Sequence, residues 1–260
     1  MKLRSALTLL CICICGHAIG QAPGAQKPQP VKRDPMVESL FNQMKLAYRN
    51  LNTLHEKITF KFDVNVPGMI EDVLPVELEL KIKQPNKLSL NYVLKNATGK
   101  LMKYQMVSDG ENIYTYSADL NAYEKFDLKK TGIRIPSVLN TPDFDVLFRA
   151  IDPFQNLRIP SEKLKVGSPT KINDVDVDVA TGLLDQGSQL SATFLLAFGQ
   201  KDHLVRGMSF KGGGEQNGKQ IRFQFDANYD VVEPNAKVED ADFKFVAPQG
   251  AKFIEPKVKN

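Results

Sequence analysis

Past residue 15 the chain has no cysteine. The sequence holds three, Cys11, Cys13 and Cys15, all near its start. Disulfides, thiol nucleophiles and thiolate-bound metals are therefore excluded from the rest of the chain. Tryptophan is absent and histidine occurs three times. Only His55 and His203 lie beyond residue 20, far apart and without ligand spacing, so no metal site is expected. The charge is nearly balanced. A formal +4 becomes +2 once Lys2 and Arg4 are removed, which leaves no basic footprint for nucleic acid. No repeat with a period of about 20–50 residues is present, which excludes a solenoid.

What is present begins with a leader. Ala6–Cys15 is a short apolar run behind Lys2 and Arg4, too short to span a bilayer, which takes about 20 residues. It reads as the apolar region of a secretory signal peptide, cut after Ala18 and Gly20 and before Gln21. A lipid anchor would need a small residue before the acylated cysteine. Leu10, Ile12 and Ile14 stand there instead, so a lipid-anchored form is not expected. The expected organisation is a signal peptide over residues 1–20 and a Pro/Gln/Lys-rich flexible linker over 21–33. One domain over 34–256 and a short tail over 257–260 complete it.

Asp34-Pro35 predicts a helix start, because Asp caps free N–H groups and Pro fits the first turn. Val37, Leu40, Phe41, Met44, Tyr48 and Leu51 then recur at helical spacing, so the helix is expected over about Pro35–Leu51. After it the period changes to two. Alternating runs include Ile58–Val66, Val76–Ile82, Leu88–Tyr92, Met102–Met106, Tyr114–Tyr116, Val175–Val179 and Ile221–Phe225. Such alternation predicts antiparallel strands with one apolar and one wet face. Pro67-Gly68, Pro85-Asn86, Asp109-Gly110, Gly212-Gly213-Gly214 and Asn217-Gly218 are read as the turns between them.

The fold class is therefore α+β. Roughly ten strands at about 4.8 Å would make a flat sheet near 48 Å wide, and one helix about 10 Å across cannot cover it. The sheet must curl into a strongly curved, unclosed half-barrel, with the N-terminal helix and short inserted helices over its concave face. Asp143–Ile151, between Pro142 and Pro153, is the candidate second cover. Leu78, Leu80, Ile82, Leu88, Leu90, Tyr92, Met102, Tyr104, Met106, Tyr114 and Tyr116 are expected to share the concave face. Periodicity alone leaves a packed core and a ligand-holding cavity both open. The Met and Tyr content suits an adaptable, half-wet binding surface.

Candidate chemistry is sparse. Ser108-Asp109-Gly110 is a hairpin signal with no histidine nearby to activate the serine. Asp174, Asp176 and Asp178 alternate with valines and lack the glycine turn and distal glutamate of a calcium loop. Gly212–Gly214 precedes no helix start, so it is not read as a phosphate cradle. No nucleophile elbow is present, which argues against a hydrolase. No catalytic residue, metal or cofactor is expected.

Three stretches in order resemble the LolA/LolB-like superfamily of periplasmic lipoprotein carriers. They are the amphipathic helix leading into Thr59-Phe60-Lys61-Phe62, the segment Leu80–Phe126, and Ala241–Ala251. Within the second lie Lys83-Gln84-Pro85-Asn86-Lys87-Leu88, Met106-Val107-Ser108-Asp109-Gly110 and Ile113-Tyr114-Thr115-Tyr116, similar to that family's strand end, hairpin and aromatic strand. The third is similar to its closing strand. The resemblance implies an unclosed barrel without catalytic residues, holding acyl chains of lipoproteins or lipids in a periplasmic cavity. Leu90 and Tyr114 stand where those carriers place aromatic cavity residues, and Gln84 stands where they carry a lid-tying arginine. Gln84 cannot make the forked, charge-assisted contact of an arginine, so the chain resembles a divergent member. The implied cavity mouth and lid are Gln84, Phe144, Leu147 and Phe148. The implied partner is a lipid acyl chain or lipoprotein handled by a monomer, with an envelope membrane protein as a further partner. A periplasmic interaction or envelope-stress sensing module of the same fold is the alternative.

Overall fold

A computed structural model describes residues 34–66, 70–95, 99–131, 164–185, 191–216 and 219–256. The leader, the linker, the tail 257–260 and the lid residues Phe144, Leu147 and Phe148 lie outside these residues. So do the Pro67-Gly68 and Asn217-Gly218 turns.

Helix α1 runs over Pro35–Arg49, two residues shorter than expected. Asp34 caps it, its carboxylate accepting from the Met36 N–H at 2.9 Å, and Pro35 occupies the first turn. Val37 and Met44 are buried, with Phe41 and Tyr48 half-buried beside them, as the stripe requires. The helix stops where Asn50 donates back to the Leu46 and Ala47 carbonyls.

Among the described residues thirteen strands follow. They are β1 (Thr53–Val66), β2 (Ile70–Lys83), β3 (Lys87–Lys95), β4 (Leu101–Asp109), β5 (Asn112–Ser117) and β6 (Ala122–Asp127). After a single helical turn at Leu128–Thr131 come β7 (Leu164–Val166), β8 (Thr170–Ile172), β9 (Val175–Asp185), β10 (Ser191–Gly199), β11 (Val205–Gln216) and β12 (Lys219–Pro234). A two-residue β13 (Lys252–Phe253) ends the sheet. The order β13-β6-β5-β4-β3-β2-β1-β12-β11-β10-β9-β7, with β8 also on β9, does not close on itself. Every pairing is antiparallel except β13 on β6. The sheet is thus the expected open form but larger than ten strands. It consists of two meanders, β1–β6 and β9–β12, joined where β1 meets β12.

One main core lies on the inner face. It gathers Val37 and Met44 of α1, Ile58, Phe60, Leu78, Leu80, Leu90, Tyr92 and Met106 of the first meander, and Phe194, Leu196, Phe198, Val205, Ala227 and Tyr229 of the second. A small second cluster, Val177, Val179 and Ala197, lies on the other side of β9 and β10. The alternation of Val175, Val177 and Val179 was therefore real but marks the outer side.

Gly212–Gly214 are not a turn. They lie inside β11. A Cβ on Gly212 would stand 2.5 Å from the Ser191 carbonyl oxygen and 2.7 Å from the Phe223 ring, so glycine lets those strands close in. Asp109-Gly110 is a turn, with Gly110 at φ +100° and the Asp109 carboxylate accepting from Glu111 and Asn112 N–H at 2.8 and 2.7 Å.

The segment Ala241–Ala251 is not a strand. It is a 3-10 turn at Asp240–Phe243 and extended chain that lies along the outer face. Phe243 is buried, and Phe245 stacks on Tyr114 at 5.1 Å. Lysines from the sheet hold the turn. Lys81 meets Asp242 at 2.8 Å, and Lys83 and Lys87 meet Asp240 at 2.8 and 3.0 Å. The two lysine ammonium groups hold the Asp240 carboxyl down to about 2, and Lys81 lowers that of Asp242. A lowered carboxyl stabilises the clamp above the ordinary carboxylate range and ceases to do so as pH falls toward 2. The Lys252 and Ile254 amides, which donate to the Asn121 and Tyr123 carbonyls, are expected to shift in NMR spectra between pH 4 and pH 2. The double substitution Asp240→Asn, Asp242→Asn should remove that step.

Candidate functional site

Cross-strand register decides what the inner wall is made of. One row runs Ile58–Leu78–Tyr92–Tyr104–Ser117–Ala122 across six strands. The next runs Glu56–Leu80–Leu90–Met106–Thr115–Glu124. A third holds Leu54–Ile82–Leu88–Ser108–Ile113–Phe126. Nine of the expected wall residues, Leu78, Leu80, Ile82, Leu88, Leu90, Tyr92, Met102, Tyr104 and Met106, share this face. Leu78, Leu80, Leu90, Tyr92 and Met106 are buried, while Ile82, Leu88, Met102 and Tyr104 are half-buried at its margins. Tyr92 and Tyr104 stack at 4.8 Å, and the Tyr104 hydroxyl lies 3.8 Å from the Met102 sulfur.

Tyr114 and Tyr116 do not join that wall. They pair with Val107 and Gln105 on the outer face. There they pack with Tyr123 against Phe245 of the tail. The turn after Asp109 pairs Ser108 with Ile113, so the odd residues of β5 face inward. Thr115 and Ser117 take the places expected for the tyrosines.

Gln84 is exposed in the β2–β3 turn, where its N–H donates to the Asn52 carbonyl at 2.8 Å. It stands beside the exit of α1. The lid residues expected opposite it lie outside the described residues.

The helix sits on the second meander and the seam. Phe41 meets Phe198 of β10 edge-on at 5.8 Å. Tyr48, in the last turn, donates from its hydroxyl to Glu56 Oε1 at 3.2 Å and accepts from the Val205 N–H at 3.3 Å. One side chain thereby ties α1 to β1 and β11. Glu56 is only 3 % exposed. Burial pushes its carboxyl up from 4.5 to about 7, against the lowering effects of the Tyr48 hydrogen bond, Arg206 and His55. Burial and the Glu56 charge likewise raise the phenols of Tyr48 and Tyr229. Arg206, also buried, is held by Asp202. A Cβ on Gly199 would fall 2.4 Å from Asp202 Oδ1, so a side chain there would push that carboxylate from its place beside Arg206.

Glu56 was not among the expected site residues, although its even position with Ile58 and Phe60 marks it as inward-facing. His55, next to it, points outward. Its Nδ1 meets Glu233 at 2.8 Å and its Nε2 meets Glu79 at 2.9 Å, which links β12, β1 and β2. His55 and His203 are thus not brought together. The arrangement as a whole offers buried apolar side chains and a buried acid. Among the described residues no helix is long and apolar enough to cross a membrane.

No family model and no curated protein match the chain. Solved structures do. The chain is similar to the lipoprotein LppX of Mycobacterium tuberculosis, at 14 % identity and TM-score 0.40, covering 79 % of this chain and 98 % of that one. It is also similar to a LolA superfamily protein of Nitrosomonas europaea, at 10 % identity and TM-score 0.30, covering 80 % and 97 %. A third likeness is to the MucA/MucB complex of Pseudomonas aeruginosa, at 11 % identity and TM-score 0.43, covering 82 % of this chain and 62 % of that one.

Proposed function

We infer that this protein is a non-enzymatic binding protein of the periplasm that holds the acyl chain of a lipid or lipoprotein on its inner wall. The observation that carries the reading is the run of buried apolar side chains Leu78, Leu80, Leu90, Tyr92 and Met106 on the inner face of a sheet that does not close. Helix α1 is anchored on the second meander and on the β1–β12 seam, away from β3 and β4. Half-buried Ile82, Leu88, Met102 and Tyr104 form the margin through which a chain would enter. Each buried methylene contributes about 0.8 kcal/mol, so a long chain needs no charged contact to bind. Residues 34–256 act as one unit in this reading, and handover to an envelope membrane protein would complete the carrier role.

Titration with a dansyl-labelled undecanoic acid tests it. The full chain should take up the probe saturably with blue-shifted emission. Tyr104→Glu, at the half-buried margin, should weaken uptake by about tenfold while leaving the fold intact. A wild-type protein that shows no saturable uptake would overturn the reading.

A further inference from the structure

The inner wall changes character along its width. Across β2 and β3 it is Leu78, Leu80, Leu90 and Tyr92. Across β4, β5 and β6 it carries Ser108, Thr115, Ser117 and Glu124, four of the seven buried polar residues among those described. Thr115 is 0 % exposed, Ser117 and Glu124 1 %. Ser108 is satisfied, donating to the Asn86 carbonyl at 2.6 Å. The Thr115 hydroxyl is not: it is the one buried side-chain polar atom without a hydrogen-bond partner among the described residues. A buried hydroxyl left unmade costs about 1–3 kcal/mol, and native structures rarely keep one without a reason. Its cross-strand neighbours are Met106, where the apolar lane begins, and Glu124, a carboxyl group.

We propose that Thr115, with Glu124 beside it, is a polar subsite that takes the hydroxyl- or amide-bearing head of a neutral acyl lipid. This rests on the acyl-binding reading above and adds the orientation and class of the ligand. A ligand hydroxyl both accepts and donates, so it satisfies the Thr115 O–H and offers its own proton to the Glu124 carboxyl. A plain ester has no such proton. The chain then runs from Met106 over Leu90 and Leu80 toward Glu56. From Thr115 to Glu56 the row crosses four strand spacings of about 4.8 Å, about 19 Å in all, the reach of a long acyl chain. Entry of the head brings Thr115 the partner it lacks.

Displacement of the dansyl fatty acid by monolauroylglycerol and by methyl laurate tests the subsite, because the two share a chain and differ in hydroxyls. The full-length protein is expected to prefer monolauroylglycerol by about tenfold, the effect of hydrogen bonds that must otherwise go unmade. Thr115→Val should abolish that preference and leave methyl laurate within about twofold of wild type. Its thermal midpoint should not fall, since an unpartnered hydroxyl is removed. Thr115→Ala repeats the test should the valine variant fail to fold, and Thr115→Ser should keep the preference. An intact preference in Thr115→Val or Thr115→Ala would overturn the subsite while leaving acyl binding standing. Failure of every acyl compound to displace the probe, or of the probe to bind, would overturn both.

Discussion

Glu56→Gln is expected to raise the thermal midpoint at pH 8 by about 6–12 °C and to leave it unchanged at pH 4. The reason is the position of this carboxyl on the inner wall, where burial lifts it from 4.5 to about 7. A native-state carboxyl that holds its proton more tightly than the unfolded chain stabilises the fold below pH 4.5. That contribution is lost as pH rises through 7, because the native state then carries a buried charge the unfolded chain solvates. At about 1.4 kcal/mol per pH unit the loss is about 3 kcal/mol. In a domain of this size that corresponds to the stated shift of the midpoint. Glutamine keeps the oxygen that accepts from Tyr48 and never ionises. Thermal melts from pH 4 to pH 8 decide the matter. Parallel profiles for wild type and Glu56→Gln would contradict this role.

Phe198→Ala is expected to cost about 3–5 kcal/mol in urea unfolding, the usual range for emptying a fully buried aromatic site. Phe198 carries the edge-on contact with Phe41, so its removal also takes away what seats the middle of α1 on β10. The variant should therefore exchange bound dansyl fatty acid faster than wild type. A cost under about 1 kcal/mol with unchanged exchange would show that the helix is held elsewhere.

Much of the architecture was legible because it rests on local physics. Asp34-Pro35 and the stripe Val37–Tyr48 placed α1 within two residues of its observed end. The switch to a period of two placed β1 to β4, the coverage argument required the sheet to curl, and the family resemblance implied that it stays open. The missed strands share a cause. In β10, Phe194-Leu195-Leu196-Ala197-Phe198 is buried or half-buried throughout, so its sequence does not alternate. In β6 the middle of the three inward residues is Glu124, which reads as wet. β7 and β8 are three residues each, too short to carry a period.

The wall itself was legible only as far as Met106. Period two assigns faces within a strand, but the residue count of a turn decides which face continues in the next. The pairing of Ser108 with Ile113 reversed the expected parity and sent Tyr114 and Tyr116 to the outer face. Their aromatic character found another use there, as the platform for Phe245. The glycine run failed for a related reason. Glycine serves both turns and close strand contacts, and only the approach of Ser191 and Phe223 tells them apart. Glu56 could have been found from its inward register. Its pairing with Tyr48 and its place at the β1–β12 seam depend on contacts between distant segments, which no local pattern encodes.

Native mass spectrometry of residues 21–260, secreted into a bacterial periplasm and purified without detergent, tests the central claim most directly. An acyl lipid or acylated protein bound in a one-to-one ratio, identified after extraction, is the predicted result. A protein that carries no such ligand and takes up no dansyl fatty acid would contradict the account, and the inner wall would then be packed core alone.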